Sequence, residues 1–284
     1  MKRSVLKDLT AYIEFLRSLG YHVALCGFSD RFDPYTSELI NYETHLHPIC
    51  FYMKQNKLTA GKCHQNKLLL NRTHLDAPIY SCCFAGVEEY VFPVFYEGEC
   101  LLRINLSGYR GTLKKSQKFM ERVSRLCDSD FFKLYSDLNP SPPSLDSALV
   151  FIRPLEYMVT ELYKECLSYG TKKEVSSQVD QVFKSAVQYI NANYMYPLSC
   201  ARLAEAVNYS VSYLQYVFKK QCDTTVMAYV NEVRLKRAEH LLTHTDVRII
   251  DVAFSCGFGD SNYFSSAFKN KHGVSPKEYR AKTR

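Results

Sequence analysis

Residues 203–220, LAEAVNYSVSYLQYVFKK, and residues 252–270, VAFSCGFGDSNYFSSAFKN, follow one plan. Each opens as a short apolar helix, breaks at a turn residue, restarts behind a capping side chain and ends on Phe-Lys. In the first copy Leu203, Ala204 and Val207 share a face. Asn208 then supplies the turn, because asparagine tolerates the left-handed conformation better than most residues. Ser210 is a natural N-cap for a helix over 211–221. In the second copy Gly257 ends one helix and Asp260 caps another, which runs to about His272. Leu214, Val217 and Phe218, and in the second copy Phe264, Ala267 and Phe268, are expected inward at three- and four-residue spacing. Ser212, Gln215, Tyr216 and Lys219 are left outward, as are Ser261, Asn262, Tyr263, Ser266 and Lys269. Leu214, Phe218, Phe264 and Phe268 read as core residues, not as base-stacking ones.

The surrounding sequence is helical too. Helices are expected over 182–193, 198–207 and 225–243, and a last one opens at Pro276, where a missing N–H costs nothing. Seven helices and no strand between Gln181 and Arg284 predict an all-α domain with two helix-turn-helix units. The 225–243 helix is a rod of roughly 28 Å at ~1.5 Å per residue. Two units on such a rod can set their second helices in successive major-groove segments of one DNA face, roughly 34 Å apart. Gln215 and Asn262 are then the expected base readers, since an amide pairs bidentately with adenine. Lys219, Lys220, Lys269 and Lys271 are the expected phosphate contacts. Arg234 falls on the otherwise apolar side of the rod and is expected to be a paired structural charge, not a DNA contact.

Length and composition suit a soluble globular chain with room for one large domain or two ordinary ones: 284 residues, 46% hydrophobic, 23% charged, net charge +7. The charge is unevenly spread. Residues 175–284 carry 14 Lys+Arg against 9 Asp+Glu, and the first 174 carry 22 against 20. The basic tail points to a polyanion partner. Asp8, Glu14 and Arg17 interrupt the first twenty residues, so a signal peptide is not expected there; Leu6, Leu9, Ile13, Leu16 and Leu19 instead mark an amphipathic helix. No stretch approaches the ~20 apolar residues of a membrane span. The 11 cysteines are an odd number, read as reduced thiols in the cytoplasm.

The front half mixes helix and strand signals. HVALCGF (22–28), APIYSCCFAG (77–86), EEYVFPVFYE (88–97) and CLLRINLSGY (100–109) read as strands, the last two joined by a tight hairpin at Glu97-Gly98. KCHQNKLLLNRT (62–73) reads as a helix. A longer amphipathic helix follows over 145–169, marked by Leu149, Ile152, Leu155, Val159, Leu162 and Cys166. An antiparallel sheet with helices is the expected α+β arrangement. Glycine, lysines and serines without apolar periodicity then mark a connector within 168–180. The expected domains are 1–170, a linker at 171–179, and 180–284.

Two resemblances sharpen this reading. The tail, over about 180–284, resembles the DNA-binding domain of the AraC/XylS transcription regulators. The shared positions include Arg234-Leu235, Ala238, Leu241-Leu242, Ile250, Ala253, Gly257-Phe258, Tyr263-Phe264, Phe268-Lys269, Gly273, Pro276 and Tyr279-Arg280. This implies a bacterial promoter-binding regulator that reads double-stranded DNA with two recognition helices, forms a homodimer and engages RNA polymerase. Where that family often carries arginine in each recognition helix, Tyr216 and Ser266 stand here. Neither offers the planar fork of a guanidinium, so the site sequence does not transfer from relatives.

The front half, over roughly 5–110, resembles the PocR sensory domain, a PAS-like module. The resemblance rests on His47-Pro48…Cys50, Lys62-Cys63 and Cys83-x-Ala85-Gly86, with Phe84 where the family commonly has histidine. It implies a small-molecule sensor with an aromatic-lined pocket, for which Cys50, Cys63, Cys83, Phe84, Tyr90 and Phe92 are the candidates. No organic cofactor is expected. The alternative is a metal- or redox-responsive regulator in which Cys50, Cys63 and Cys83, with His45, His47 and His64 near them in sequence, hold zinc or another soft metal. An enzyme is not expected: Cys63 and His64 are adjacent on a helix and point apart, and nothing marks an orienting carboxylate.

Overall fold

Period-two patterning in the front half produces four strands: β1 (His22–Cys26), β2 (Ile79–Cys82), β3 (Val87–Tyr96) and β4 (Glu99–Arg110). We describe the chain from a computed structural model, which defines residues 4–28, 32, 35–43, 45–55, 57–123, 125–170 and 178–283. It falls into two units, Met1–Thr171 and Lys172–Arg284. Of the connector expected at 171–179, residues 171–177 lie outside the described residues.

The sheet of the first unit is antiparallel, in the order β1-β4-β3-β2. Glu97 and Gly98, both at positive φ (48° and 83°), close the β3–β4 hairpin in the handedness that suits twisted strands. Pro93 fits in β3 because β2 pairs only as far as Val91, so the missing N–H of Pro93 deprives no partner on that side. Gly108, at φ +111°, takes up a bulge in β4; a Cβ there would stand 2.7 Å from His22.

Alternation sends the two faces of the sheet to different environments. Val23, Leu25, Phe92, Val94, Leu102, Ile104 and Leu106 pack against α1 (Val5–Ser18) through Leu9, Ile13 and Leu16. The same core takes Ala148, Ile152, Leu155, Val159 and Leu162 from the 26-residue helix Leu145–Gly170. Pro154 is tolerated inside this helix because the carbonyl it orphans belongs to Val150, which is 68% exposed and open to water. The opposite face carries Val87 into a smaller core with Ile49, Met53, Val123, Phe131 and Leu138. Between these apolar patches lie Glu89, Arg103, Asn105 and Ser107, all buried.

Glu88 ties this unit together. Its carboxylate is fully buried and accepts from Tyr80 Oη at 2.8 Å, Thr112 Oγ1 at 2.6 Å, Leu113 N at 2.7 Å and Ser116 Oγ at 2.6 Å. Burial pushes its pKa up, but these donors outweigh burial and hold the acid below its ordinary value. A depressed carboxyl stabilises the fold above its unfolded pKa of about 4.3, and that contribution fades as pH falls through the folded value. Glu88→Gln is therefore expected to cost about 2 kcal/mol at neutral pH, in urea unfolding, with the gap to the parent closing toward about pH 3.

The second unit is helical throughout its described residues. Its helices, continuing the chain order as α8 to α14 after seven among the described residues of the first unit, are Gln178–Asn193, Cys200–Ala206, Val211–Cys222, Val226–His244, Ile249–Ser255, Ser261–His272 and Pro276–Thr283. Val182, Ala186 and Ile190 of α8 and Leu203 of α9 pack with Leu214, Val217 and Phe218 of α10 and Val226 and Val230 of α11.

Candidate nucleic-acid interface and ligand site

The two copies read from sequence have matching turn chemistry. After α9, Asn208 is left-handed (φ 58°) and Tyr209 N donates to Ala204 O at 3.0 Å. After α12, Gly257 is left-handed (φ 86°) and Phe258 N donates to Ala253 O at 3.1 Å. Ser210 Oγ accepts from Tyr213 N at 3.2 Å, and Asp260 Oδ1 accepts from Tyr263 N at 2.7 Å, each capping the helix that follows. Gly259 is the one extra residue of the second turn. Beyond it Leu214 corresponds to Phe264, Phe218 to Phe268, and the left-handed C-cap Asp223 (φ 52°) to Gly273 (φ 75°).

Asparagine at one turn and glycine at the other have a steric reason. A Cβ on Gly257 would stand 2.4 Å from Tyr194 O and 2.8 Å from Met195 Cα, so the second turn is pressed onto the chain leaving α8. The same stretch is gripped by Arg234, which is 8% exposed. Its Nε donates to Tyr194 O at 2.8 Å and its Nη2 to Tyr196 O at 3.1 Å, and the guanidinium lies 5.9 Å from the Phe258 ring. Arg234 lies buried on the inner side of α11, and the partners of its guanidinium are backbone carbonyls.

On α10, Ser212, Gln215, Tyr216, Lys219 and Lys220 are all exposed. Lys219 Nζ is 2.6 Å from Asp223 Oδ1, a fully solvated pair of little energetic weight, and Lys220 lies 5.9 Å from the Tyr216 ring. On α13, Asn262, Tyr263, Ser266 and Lys269 are exposed, whereas Ser261 is half-buried. Tyr263 Oη accepts from Asn231 Nδ2 of α11 at 3.0 Å. Lys271 meets acids of α11: its Nζ is 2.6 Å from Glu232 and 3.5 Å from Glu239, and His272 Nε2 is 3.0 Å from Glu239. The ammonium is turned back onto α11 and acts as a strut. Sequence reading passed over Asn231, Glu232 and Glu239. Their spacing of seven or eight residues, two helical turns, was the available signal.

The six candidate ligand residues divide between the sheet faces. Phe92 is fully buried in the core shared with α1 and the Leu145–Gly170 helix, and Tyr90 packs against that core with its hydroxyl donating to Pro143 O at 2.9 Å. Cys50, Cys83 and Phe84 pack around the smaller core on the other side. Among the described residues, Tyr90 and Phe92 thus belong to one cluster and Cys50, Cys83 and Phe84 to another. The structure does bring Cys50, Cys63 and Cys83 within electrostatic range of one another, and Cys50 and Cys83 within range of Glu89. Burial pushes the Cys50 thiol up to about 12 and Cys83 well above its ordinary value, so both are protonated and poorly nucleophilic. Among the described residues, these three sulfurs are not gathered around a single point. The ring of His47 meets that of His22 edge-on at 4.6 Å, and burial first of all lowers both imidazoles to about 4. His45 reaches Glu89 at 3.5 Å. The side chain of His64 lies outside the described residues.

Residues 203–282 match a protein family described as a helix-turn-helix domain. The Msm operon regulatory protein of Streptococcus mutans is 31% identical over 52% of this chain and 55% of its own length. The transcriptional activator RhaS of Klebsiella pneumoniae is 33% identical over 38% of each chain. This chain thus spans about half or less of the length of these curated relatives. A solved regulator from Chromobacterium violaceum, titled as having an AraC-type DNA-binding domain, is 34% identical over 36% of this chain and 92% of its own, with a TM-score of 0.35. The helix-turn-helix region is thus of a kind found in transcription regulators and activators. Among the described residues, no helix is long and apolar enough to cross a membrane.

Proposed function

We propose that this AraC-type chain is a cytoplasmic transcription regulator that binds promoter DNA through α10 and α13 and is controlled by a small molecule held in its first unit. The observation that carries the reading is the duplicated turn, cap and exposed helix on either side of α11. Gln215 and Asn262 are the base readers, with Ser212, Tyr216, Ser261, Tyr263 and Ser266 beside them. Lys219, Lys220 and Lys269 meet phosphates, while Lys271 holds α13 in place. The Leu145–Gly170 helix couples ligand to reader, since it packs along the sheet and leads into the connector. The ligand shifts the population of reading-competent states by its preference for one of them. Homodimerisation adds avidity to two modest readers, and RNA polymerase is the further partner.

The test is the salt dependence of duplex binding. The slope of log K against log salt should fall by about 2–3 when Lys219, Lys220 and Lys269 are together changed to glutamine, roughly 0.9 per phosphate lost. A parent protein with no salt-dependent affinity for any duplex would defeat the reading.

A further inference from the structure

Glu88 and Glu89 are neighbours on β3, both buried, with opposite surroundings. Glu88 is saturated by four donors. Glu89 is 4% exposed; its bonded partners are Asn105 Nδ2 at 2.9 Å and, more distantly, His45 Nε2 at 3.5 Å. Burial raises the Glu89 carboxyl to about 7, so its charge is poorly supported without a cation, and once ionised it offers about four acceptor positions. Asn105, opposite Val91 on β4, is 2% exposed, and its other amide atom, Oδ1, is buried with no donor. Two buried acceptors thus stand side by side underused, each desolvated without a full set of donors in return. Among the described residues, neither lysine nor arginine is bonded to Glu89. Thiols of Cys50 and Cys83 lie nearby as weak, neutral neighbours.

We propose that the Glu89–Asn105 acceptor pair binds the ammonium head of a small primary amine. An ammonium carries three donors and a positive charge. It therefore fills the Asn105 acceptor and compensates the buried carboxylate together, whereas a hydroxyl fills the first and leaves the second. Arg103 stands two residues along the same face of β4, roughly 7 Å from Asn105 at ~3.4 Å per residue. Its Nε is buried without an acceptor, its Nη2 being given to Thr73 O at 2.8 Å. It offers a donor to an oxygen on the tail of the same ligand. This inference rests on the first unit being the sensor; it moves the ligand site from Tyr90 and Phe92 to the opposite face of the sheet.

The experiment is thermal unfolding of the full chain with aminobutanol, an amine and a hydroxyl at opposite ends, against butanediol as its uncharged match. Aminobutanol at millimolar concentration should raise the midpoint and butanediol should not. Glu89→Gln should remove that shift without lowering the midpoint of the ligand-free protein, since it exchanges a poorly compensated buried acid for a neutral amide. Asn105→Leu should weaken the shift as well. Equal shifts with both compounds, no shift with the amine, or a shift that survives Glu89→Gln would each overturn the proposal. A Glu89→Gln protein less stable than the parent without ligand would also overturn it, marking the acid as structural. Duplex binding measured on the same samples separates the readings. Amine binding with unchanged DNA affinity keeps the site and sinks its role in control, while a parent that binds no duplex sinks the regulator reading alone.

Discussion

Replacing Gly257 with alanine is expected to destabilise the second unit by about 3–4 kcal/mol. Two effects add. Alanine at φ +86° is in left-handed backbone, costing ~1–2 kcal/mol. Its methyl would then meet Tyr194 O at 2.4 Å and Met195 Cα at 2.8 Å, and overpacking against backbone costs about 1–3 kcal/mol more. Rigid main chain is what the methyl meets, so no side chain can swing aside. Urea unfolding of the parent and variant, followed by helical circular dichroism, measures the loss. Asn208→Gly at the equivalent turn of the first copy is the control, expected to change stability by a few tenths of a kcal/mol only. Equal effects at the two turns would show that the second turn is not pressed onto the chain leaving α8.

Arg234→Ala is expected to cost about 3 kcal/mol, because two charge-assisted hydrogen bonds disappear, one to the buried carbonyl of Tyr194 and one to the half-buried carbonyl of Tyr196. Arg234→Lys should recover at most half. A lysine ammonium cannot match a fork that reaches Tyr194 O and Tyr196 O together. Because Arg234 and Gly257 hold the same stretch, Tyr194 to Tyr196, their effects should be less than additive in a double-mutant cycle. Strict additivity would mean the two contacts act independently.

Most of the second unit was legible in its residues. Ser210 and Asp260 as caps, Asn208 and Gly257 as left-handed turns, and the inward Leu214, Phe218, Phe264 and Phe268 all rest on interactions within about one helical turn. The hairpin at Glu97-Gly98 was legible for the same reason. The Leu145–Gly170 helix was read from its apolar stripe, and only its last residue differs from the expectation. The ion pairs of Lys271 were not legible, because an outward lysine at the end of a helix looks solvated until the acids of α11 are brought beside it. Tyr90 and Phe92 were grouped with the cysteines because strand alternation says which residues share a face and not which helices cover that face.

By itself the sequence determined the two helix-turn-helix copies, the α+β character of the front half and the basic tail, since caps, turns and periodicity act over a few neighbouring residues. Only the tertiary structure decided that Gly257 must be glycine, that Arg234 serves carbonyls 38 and 40 residues away, and that Glu88 is satisfied while Glu89 is not. Those outcomes depend on which distant groups arrive at a buried position, and burial makes each missing partner costly.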